Sequence, residues 1–297
     1  MLTRAMVWVS LVALTACDAG NDDSPGGGAG AGGPGGSTPV GGSGGGAEQV
    51  GGAGNQGGGF IGEGGAGGAL PEIAEVFGHS ANELYRLDPD TKAVTLVGPF
   101  NGCSSVIDIA LDKDSNIIGT TFGGLYQIDK TNAACTEIAL GGFPNSLSFI
   151  PAGTLDANVE ALVGYNGSQY VRIDPISGGI TNIGSLGAGY SSSGDIVSVK
   201  DGGTYLTVVG ADCATDCLVE VNPMTGAMIK NWGPVGYTAT YGIAFWAGTV
   251  YGFSEGGQLF ELTFDNDVMT STLIASPGTA FWGAGSTTSA PPIEIPE

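Results

Sequence analysis

One phrase recurs five times in this chain, and its repetition constrains the fold more than any other feature. The first copy reads LYRLDPDTKAVTLVG from Leu84, and later copies begin at Leu125, Tyr170, Leu218 and Leu259. Successive copies start 41, 45, 48 and 41 residues apart, which is the spacing of β-propeller blades. We therefore expect one structural unit to be stacked several times.

Each copy predicts a β-hairpin. Alternation such as Tyr85, Arg86, Leu87 is typical of a half-buried strand. The middle of the phrase, DPDTK, DPISGG or NPMTGA, supplies turn residues: Pro presets φ, Asp or Asn bonds the backbone, and Gly accepts positive φ. Segments between the copies, such as VIDIALDKDSNIIGTTF, predict a second hairpin. Each unit therefore has four strands, a to d, as in a propeller blade.

The ends of the repeat region predict the number of blades. IAEVFGHSANELYRL supplies strands b, c and d without an a strand, and FWGAGSTTS near the C-terminus resembles an a strand without followers. Four complete units and one split unit predict an all-β, five-bladed propeller closed by its terminal strands, which removes an exposed sheet edge. Six blades with one degenerate, or an open β solenoid, are the alternatives.

The first quarter of the chain cannot contribute to a core. Almost half of residues 17–69 are Gly, and side chains able to bury apolar area are nearly absent, so nothing offsets the entropy lost on folding. We expect a signal peptide at 1–16, a disordered Gly-rich tether at 17–69, the propeller at 70–290 and a C-terminal tail at 291–297.

The first residues indicate export. MLTRAMVWVSLVALTAC has one basic residue, a short apolar stretch and small residues before Cys17. It resembles a bacterial lipoprotein signal peptide, with Leu14-Thr15-Ala16-Cys17 matching the lipobox. That resemblance implies lipidation of Cys17 and an anchor in a cell-envelope membrane, facing the periplasm or the cell surface. An ordinary secretory signal and a short anchor helix are the alternatives.

Charge limits the partners. The net charge is -21 because Lys and Arg are scarce, and phosphate binding needs clustered basic groups. Nucleic acid is therefore excluded as a partner. We expect a monomer that contacts the membrane through its anchor and binds an envelope glycan or a protein.

The repeats also carry a resemblance. The pattern DIA on an inner strand, then LY-x-apolar-D-P-x-T-G, is similar to quasi-repeats of bacterial exported propellers, including quinoprotein-like and surface-layer-like ones. This resemblance implies the fold and an extracytoplasmic location. The chain lacks the His and Arg constellations of enzymatic relatives, so the resemblance implies a binding or scaffold module more than an enzyme.

Loops b to c and d to a share one face of a propeller, around the channel. Flat aromatic rings with hydroxyl and amide groups suit carbohydrate or peptide surfaces. The alternative is that these aromatic rings pack between blades. The ligand-binding candidates in or near these loops are Phe122, Tyr165, Asn166, Tyr190, Tyr237 and Tyr241.

Two aspartates occupy corresponding inner-strand positions, Asp108 in VIDIA and Asp195 in SGDIV. Paired carboxyl groups at the channel would suit glycoside hydrolysis, and a glycan-active enzyme is the alternative function. An Asp at a strand start can instead accept hydrogen bonds from backbone NH groups. A purely structural envelope protein is a third reading.

Asp112, Asp114 and Asn116 have the D-x-D-x-N spacing of calcium loops. Ile117 replaces the expected Gly, and no Glu follows at the needed distance. An ordinary a to b turn is the favoured reading. We expect no cofactor, with calcium as the alternative.

Four cysteines remain in the expected domain, where an oxidising compartment permits disulfides. Cys213 and Cys217 are close enough in sequence to close a small loop. Cys103 and Cys135 form the other candidate bridge, but the strand assignment puts them at opposite faces, which favours a buried Cys135 thiol. His79, the single histidine, is expected in a loop.

Overall fold

The computed structural model describes residues 74–187 and 189–293. These residues form five four-stranded antiparallel sheets, each a blade of a closed propeller. The expected signal peptide, Cys17 and the tether lie outside the described residues. No helix among the described residues is long and apolar enough to cross a membrane.

The strands follow one another blade by blade along the chain. Blade 1 begins with β1 (Val76–His79), β2 (Glu83–Leu87) and β3 (Val94–Pro99). Blade 2 contains β4 (Val106–Leu111), β5 (Ile117–Thr121), β6 (Gly124–Ile128) and β7 (Cys135–Leu140). Blade 3 contains β8 (Leu147–Ile150), β9 (Ala161–Asn166), β10 (Gln169–Ile173) and β11 (Ile180–Ser185). Blade 4 contains β12 (Ser191–Ser198), β13 (Thr204–Val209), β14 (Cys217–Val221) and β15 (Met228–Pro234). Blade 5 contains β16 (Thr240–Trp246), β17 (Thr249–Ser254), β18 (Leu259–Asp265) and β19 (Val268–Ala275), and the last strand is β20 (Gly283–Ser286).

The two ends of the propeller close the ring. Strand β20 is the inner strand of blade 1 and pairs antiparallel with β1, with Val76 opposite Ser286 and His79 opposite Gly283. The Thr287 NH extends this pairing by donating to the Glu75 carbonyl at 3.1 Å. The prediction of five blades with a split, terminally closed blade is confirmed, and β20 covers the edge that β1 would otherwise expose.

The hydrophobic core is divided among the blade interfaces. Five clusters of buried residues each join two neighbouring blades. Between blades 5 and 1, Phe253 and Phe281 meet edge to face with their ring centroids 5.2 Å apart. Such a pair contributes about 0.5–1.5 kcal/mol beyond its area burial. Core packing therefore stabilises the closure as well as the individual interfaces.

Burial within each copy of the repeat departs from simple alternation. The first residue of the phrase, such as Leu84, Leu125 or Leu218, is fully buried. Strict alternation would instead place it on the same face as the polar residue two positions later, such as Arg86. Both faces of each sheet pack against neighbouring blades, and a bulge after Leu84 shifts the register. The expected half-buried strand is therefore wrong for the inner part of the hairpin.

The repeated turns fold as their sequence predicts. The Asp88 carboxylate accepts hydrogen bonds from the NH groups of Asp90 and Thr91 at 3.0 and 2.9 Å, and these bonds lower its pKa. Gly178 and Gly226 have φ of 72° and 67° in the equivalent turns. A turn-forming Asp or Asn followed by a positive φ thus ends the first strand of each hairpin.

Cys103 and Cys135 form a disulfide, so the expected separation of these residues is wrong. Their strand assignment is right, since Cys103 precedes β4 and Cys135 begins β7. Twist accumulates across a four-stranded sheet, and the end of each outer strand reaches the c to d turn of the next blade. The Cys135 NH accordingly donates to the Asn101 carbonyl at 2.7 Å.

The second disulfide joins Cys213 to Cys217. It closes the loop between β13 and β14, as the short spacing suggested. Cys217 is fully buried at the start of β14, so the bridge fixes an otherwise irregular loop to a core strand.

Candidate functional site

The ten loops that join strand b to c, or one blade to the next, meet at one end of the propeller, here called the loop face. The b to c loops are residues 80–82, 122–123, 167–168, 210–216 and 255–258. The connections between blades are residues 100–105, 141–146, 186–190 (with 188 outside the described residues), 235–239 and 276–282. The opposite end, formed by the a to b and c to d turns, is called the turn face.

A cavity of about 380 Å³ opens at the centre of the loop face, here called the mouth cavity. All five blades, or the segments that lead into them, contribute to it. Its lining consists of Ile107, Phe122, Asn145, Ser193, Gly194, Tyr241, Glu255 and Trp282. This volume lies in the range of small-molecule sites, and three aromatic rings with one carboxylate and one amide provide apolar surface and polar anchors.

Backbone contacts hold the rim of the mouth cavity. The Glu255 NH donates to the Ala239 carbonyl at 2.9 Å, and the Trp282 NH donates to the His79 carbonyl at 2.8 Å. The carbonyl of Pro144, next to Asn145, accepts a hydrogen bond from the Thr120 hydroxyl at 3.1 Å. The lining residues are therefore carried by loops that are tied to strands, which reduces the ordering cost of binding a ligand.

Two of the six proposed ligand-binding residues line the mouth cavity. Phe122 is 73% exposed at the tip of the β5–β6 loop, and Tyr241 lies near the start of β16. Asn166 is exposed at the end of β9 but is not part of the lining. The structure brings Phe122 and Tyr241 together and leaves Asn166 outside the cavity.

The other three candidates have packing roles. Tyr165 is fully buried, and its hydroxyl donates to the Gly226 carbonyl at 2.6 Å. The Tyr190 hydroxyl donates to Asp212 at 2.6 Å. Tyr237 stacks on Phe260 with the ring centroids 4.3 Å apart. Tyr165 and Tyr190 therefore pack between or within blades, as the alternative reading had it, whereas Tyr237 is half-buried and also lines a second cavity at the loop face, next to Glu255.

Trp282 and Glu255 were missed. Trp282 immediately precedes Gly283, as Tyr241 precedes Gly242, Gly194 precedes Asp195 and Ile107 precedes Asp108. These four residues all line the mouth cavity. The position one residue before the inner-strand Asp or Gly was therefore a usable signal for Trp282. Glu255 takes the first position of the β17–β18 loop, as Phe122 does in the β5–β6 loop, but the sequence pattern did not single out this carboxylate.

Asp108 and Asp195 lie below the mouth cavity and are both fully buried. Asp108 accepts the Ile109 NH at 2.8 Å and the Leu147 NH of blade 3 at 2.5 Å. Asp195 accepts the Ile243 NH of blade 5 at 2.7 Å. Each carboxyl group therefore ties its own inner strand to that of the next blade.

The two carboxyl groups also interact with each other. Burial raises the pKa of both well above the ordinary value, and the charge of Asp195 raises the pKa of Asp108 further. Burial therefore favours the neutral form of both acids, and no substrate reaches the pair in this conformation.

His79 is not a loop residue. It ends β1 and is fully buried. Its Nδ1 lies 2.9 Å from the Ser80 carbonyl, so Nδ1 carries the proton and Nε2 is an acceptor. Burial lowers the pKa of His79 to about 4. A Cβ on Gly283 would collide with both His79 and Asp108, which explains why glycine stands between them.

The proposed calcium residues form an ordinary turn. Asp112 accepts the NH groups of Asp114 and Asn116 at 2.9 and 2.8 Å, and the Asn116 amide reaches its second oxygen at 2.8 Å. The Asp114 carboxylate pairs with Lys113. These oxygens are directed at the turn itself instead of converging on a common point. No cluster of metal-binding side chains occurs in the described part of the chain.

Comparisons with known proteins give fold-level likeness only. No family model matches the chain, and no curated protein matches it. A chain of a nidogen/laminin complex is similar over 73% of this chain and 99% of its own length, at 11% identity and a TM-score of 0.46. BamB from Moraxella catarrhalis is similar over 66% of this chain and 58% of its own length, at 14% identity and a TM-score of 0.35. PQQ-bound aldose sugar dehydrogenase from Streptomyces coelicolor is similar over 71% of this chain and 80% of its own length, at 13% identity and a TM-score of 0.39. At these TM-scores and identities the likenesses carry no argument about function.

Proposed function

We propose that this protein is a lipid-anchored, extracytoplasmic binding module. Its mouth cavity would take a group presented by an envelope glycan or by a protein partner. The observation that supports this proposal is the convergence of Phe122, Tyr241 and Trp282, from three blades, on one open cavity. Aromatic faces next to an amide and a carboxylate suit both sugar rings and side chains.

Binding is favoured over hydrolysis by the use made of the carboxyl groups. Glycosidases need two carboxyl groups on either side of the scissile bond. Asp108 and Asp195 are buried and accept backbone hydrogen bonds, and Glu255 is the one carboxylate among the described residues that line the mouth cavity. We therefore propose a binding module in place of a hydrolase. We also propose that it is monomeric and has no cofactor.

The proposed location rests on the sequence alone. The lipobox ending at Cys17 supports a membrane anchor, and the Gly-rich segment 17–69 supports a tether that lets the head search beyond the bilayer. We expect Cys17→Ala to move the protein from the membrane to the soluble fraction. Retention in the membrane fraction would contradict the anchor without affecting the binding proposal.

Thermal unfolding of the full-length chain tests the binding proposal. The ligands are a panel of cell-wall and plant oligosaccharides, each with calcium or with a chelator. A ligand that binds the native state raises the midpoint by mass action. Trp282→Leu should abolish the rise, whereas Trp232→Leu, on outer strand β15, should keep it. The proposed function is wrong if no ligand raises the unfolding midpoint and crosslinking on intact cells finds no protein partner at the loop face.

A further inference from the structure

Basic residues are segregated to one end of the propeller. Seven of the eight Lys and Arg residues lie in the described part of the chain. Each occupies an a to b turn, a c to d turn, or a position on strand c or d near a c to d turn. They are Arg86, Lys92, Lys113, Lys130, Arg172, Lys200 and Lys230. Within the described residues, the loop face therefore has no lysine or arginine.

The mouth cavity is negative. Glu255 lies exposed on its wall, and Asp216 lies close enough for both carboxylates to raise the pKa of Tyr241, after the larger effect of burial. No basic side chain of the described residues neutralises this group, so a cation is the ligand charge that the cavity favours.

The turn face shows what its aromatic rings do when cations are present. The Lys230 ammonium lies 3.4 Å from the centroid of the Trp232 ring, and the Lys92 ammonium lies 4.6 Å from that of Tyr251. The Lys230 contact is a cation–π contact, whereas the Lys92 ammonium donates a hydrogen bond to the Tyr251 hydroxyl at the edge of the ring. The rings of Trp282, Tyr241 and Phe122 have no such partner among the described residues, although a carboxylate stands beside them.

We infer that the mouth cavity binds an organic ammonium group, held between its three aromatic rings and the Glu255 carboxylate. This inference rests on the proposed function and narrows its ligand class. Trimethylammonium and primary ammonium groups on carbon chains both fit about 380 Å³. The group could belong to an amino sugar, to a lysine side chain or to a small free amine.

Matched ligand pairs that differ in one charge test the inference. Choline is compared with 3,3-dimethyl-1-butanol, glucosamine with N-acetylglucosamine, and N-acetyl-lysine amide with its Nε-acetylated form. Titration calorimetry on the full-length chain gives each dissociation constant. We expect at least one charged member to bind roughly tenfold tighter than its neutral partner. We also expect that affinity to weaken as salt is raised.

Variants locate the binding. Glu255→Gln should weaken the charged ligand about fivefold and leave its neutral partner unchanged. Trp282→Leu should weaken it at least as much. Glu137→Gln, which removes an exposed carboxylate on outer strand β7, is the matched control and should have no effect.

The outcomes separate the two proposals. Preferential binding of a cation that is lost in Glu255→Gln supports the ammonium site, and the pair that responds identifies its source. Equal binding of charged and neutral partners at the mouth cavity would keep the proposed function and overturn the ammonium inference. Absence of binding for every pair overturns the inference, and the oligosaccharide and crosslinking experiments then decide the proposed function independently.

Discussion

The two ends of the propeller differ in how they use polar groups. On the turn face, Asp88, Asp129 and Asp174 direct their carboxylates to backbone NH groups of their own turns, and the side chain of Asn222 does the same in the fourth repeat. On the loop face, equivalent positions carry different side chains: Trp282 corresponds to Tyr241 and Ile107, and Glu255 corresponds to Phe122. The repeated end builds the fold, whereas the varied end is available for recognition.

The largest expected effect concerns the disulfide that crosses between the two ends. Cys103 and Cys135 are 32 residues apart, and Cys213 and Cys217 are 4 apart. Loop-closure entropy predicts a loss of about 4 kcal/mol when the first pair is replaced by alanine, and about 2 kcal/mol for the second. Urea unfolding measures both. Equal losses would mean that the long bridge does not constrain the unfolded chain.

The next effect is a pH dependence from buried His79. Its pKa is lowered to about 4 in the folded state, so between pH 6.5 and 4 the unfolded chain binds more protons. Stability from this residue is therefore present above pH 6.5 and falls by about 3 kcal/mol as pH falls to 4.

A His79→Asn variant isolates this contribution. Asp108 and Asp195 have raised pKa values, so their contribution has the opposite sign and stability from them falls as pH rises above about 4. Because both proteins retain that term, the wild type minus variant difference should grow with pH from 4 to 6.5. A flat difference would contradict the buried neutral histidine.

Replacing Asp108 and Asp112 compares the contribution of a buried carboxyl group at the channel to stability with that of an exposed carboxyl group in a turn. Asp108→Ala should cost about 3 kcal/mol, because it leaves the buried NH groups of Ile109 and Leu147 without an acceptor. Asp112→Ala, in an exposed a to b turn, should cost about 1 kcal/mol or less. Asp108→Asn, which resembles the protonated acid, should lie between them. Denaturant midpoints at pH 7 give the order, and an Asp112 cost equal to that of Asp108 would break the comparison.

The smallest expected effect is on the loop face itself. Glu255→Gln should change the free energy of unfolding by no more than about 0.5 kcal/mol, because the side chain is exposed and supports no strand. Differential scanning calorimetry at fixed pH tests this. A large loss would mean that Glu255 stabilises the fold and is not kept for a ligand.

The sequence predicted what repetition encodes. Column by column, the five copies indicated strands, turns and the closure of β20 on β1. Repetition does not encode the twist of a sheet, so the strand assignment counted against the Cys103–Cys135 bridge, which the structure nevertheless forms. Nor does it reveal where unrepeated loops converge, which is why Glu255 was not found. His79 appeared to be a loop residue because nothing in VFGHSAN marks the end of a buried strand.

Nuclear magnetic resonance of the tryptophan indole NH groups tests the central claim most directly, which is that the loop face binds ligand. In the described residues, Trp282 lies at the mouth cavity, whereas Trp246 lies near Glu75 and Arg86 and Trp232 contacts Lys230 on the opposite side. With signals assigned by Trp→Phe variants, titration of the ¹⁵N-Trp-labelled full-length chain with choline should shift Trp282 and leave the other two unchanged. A shift of Trp232 or Trp246 with Trp282 unmoved would contradict the account.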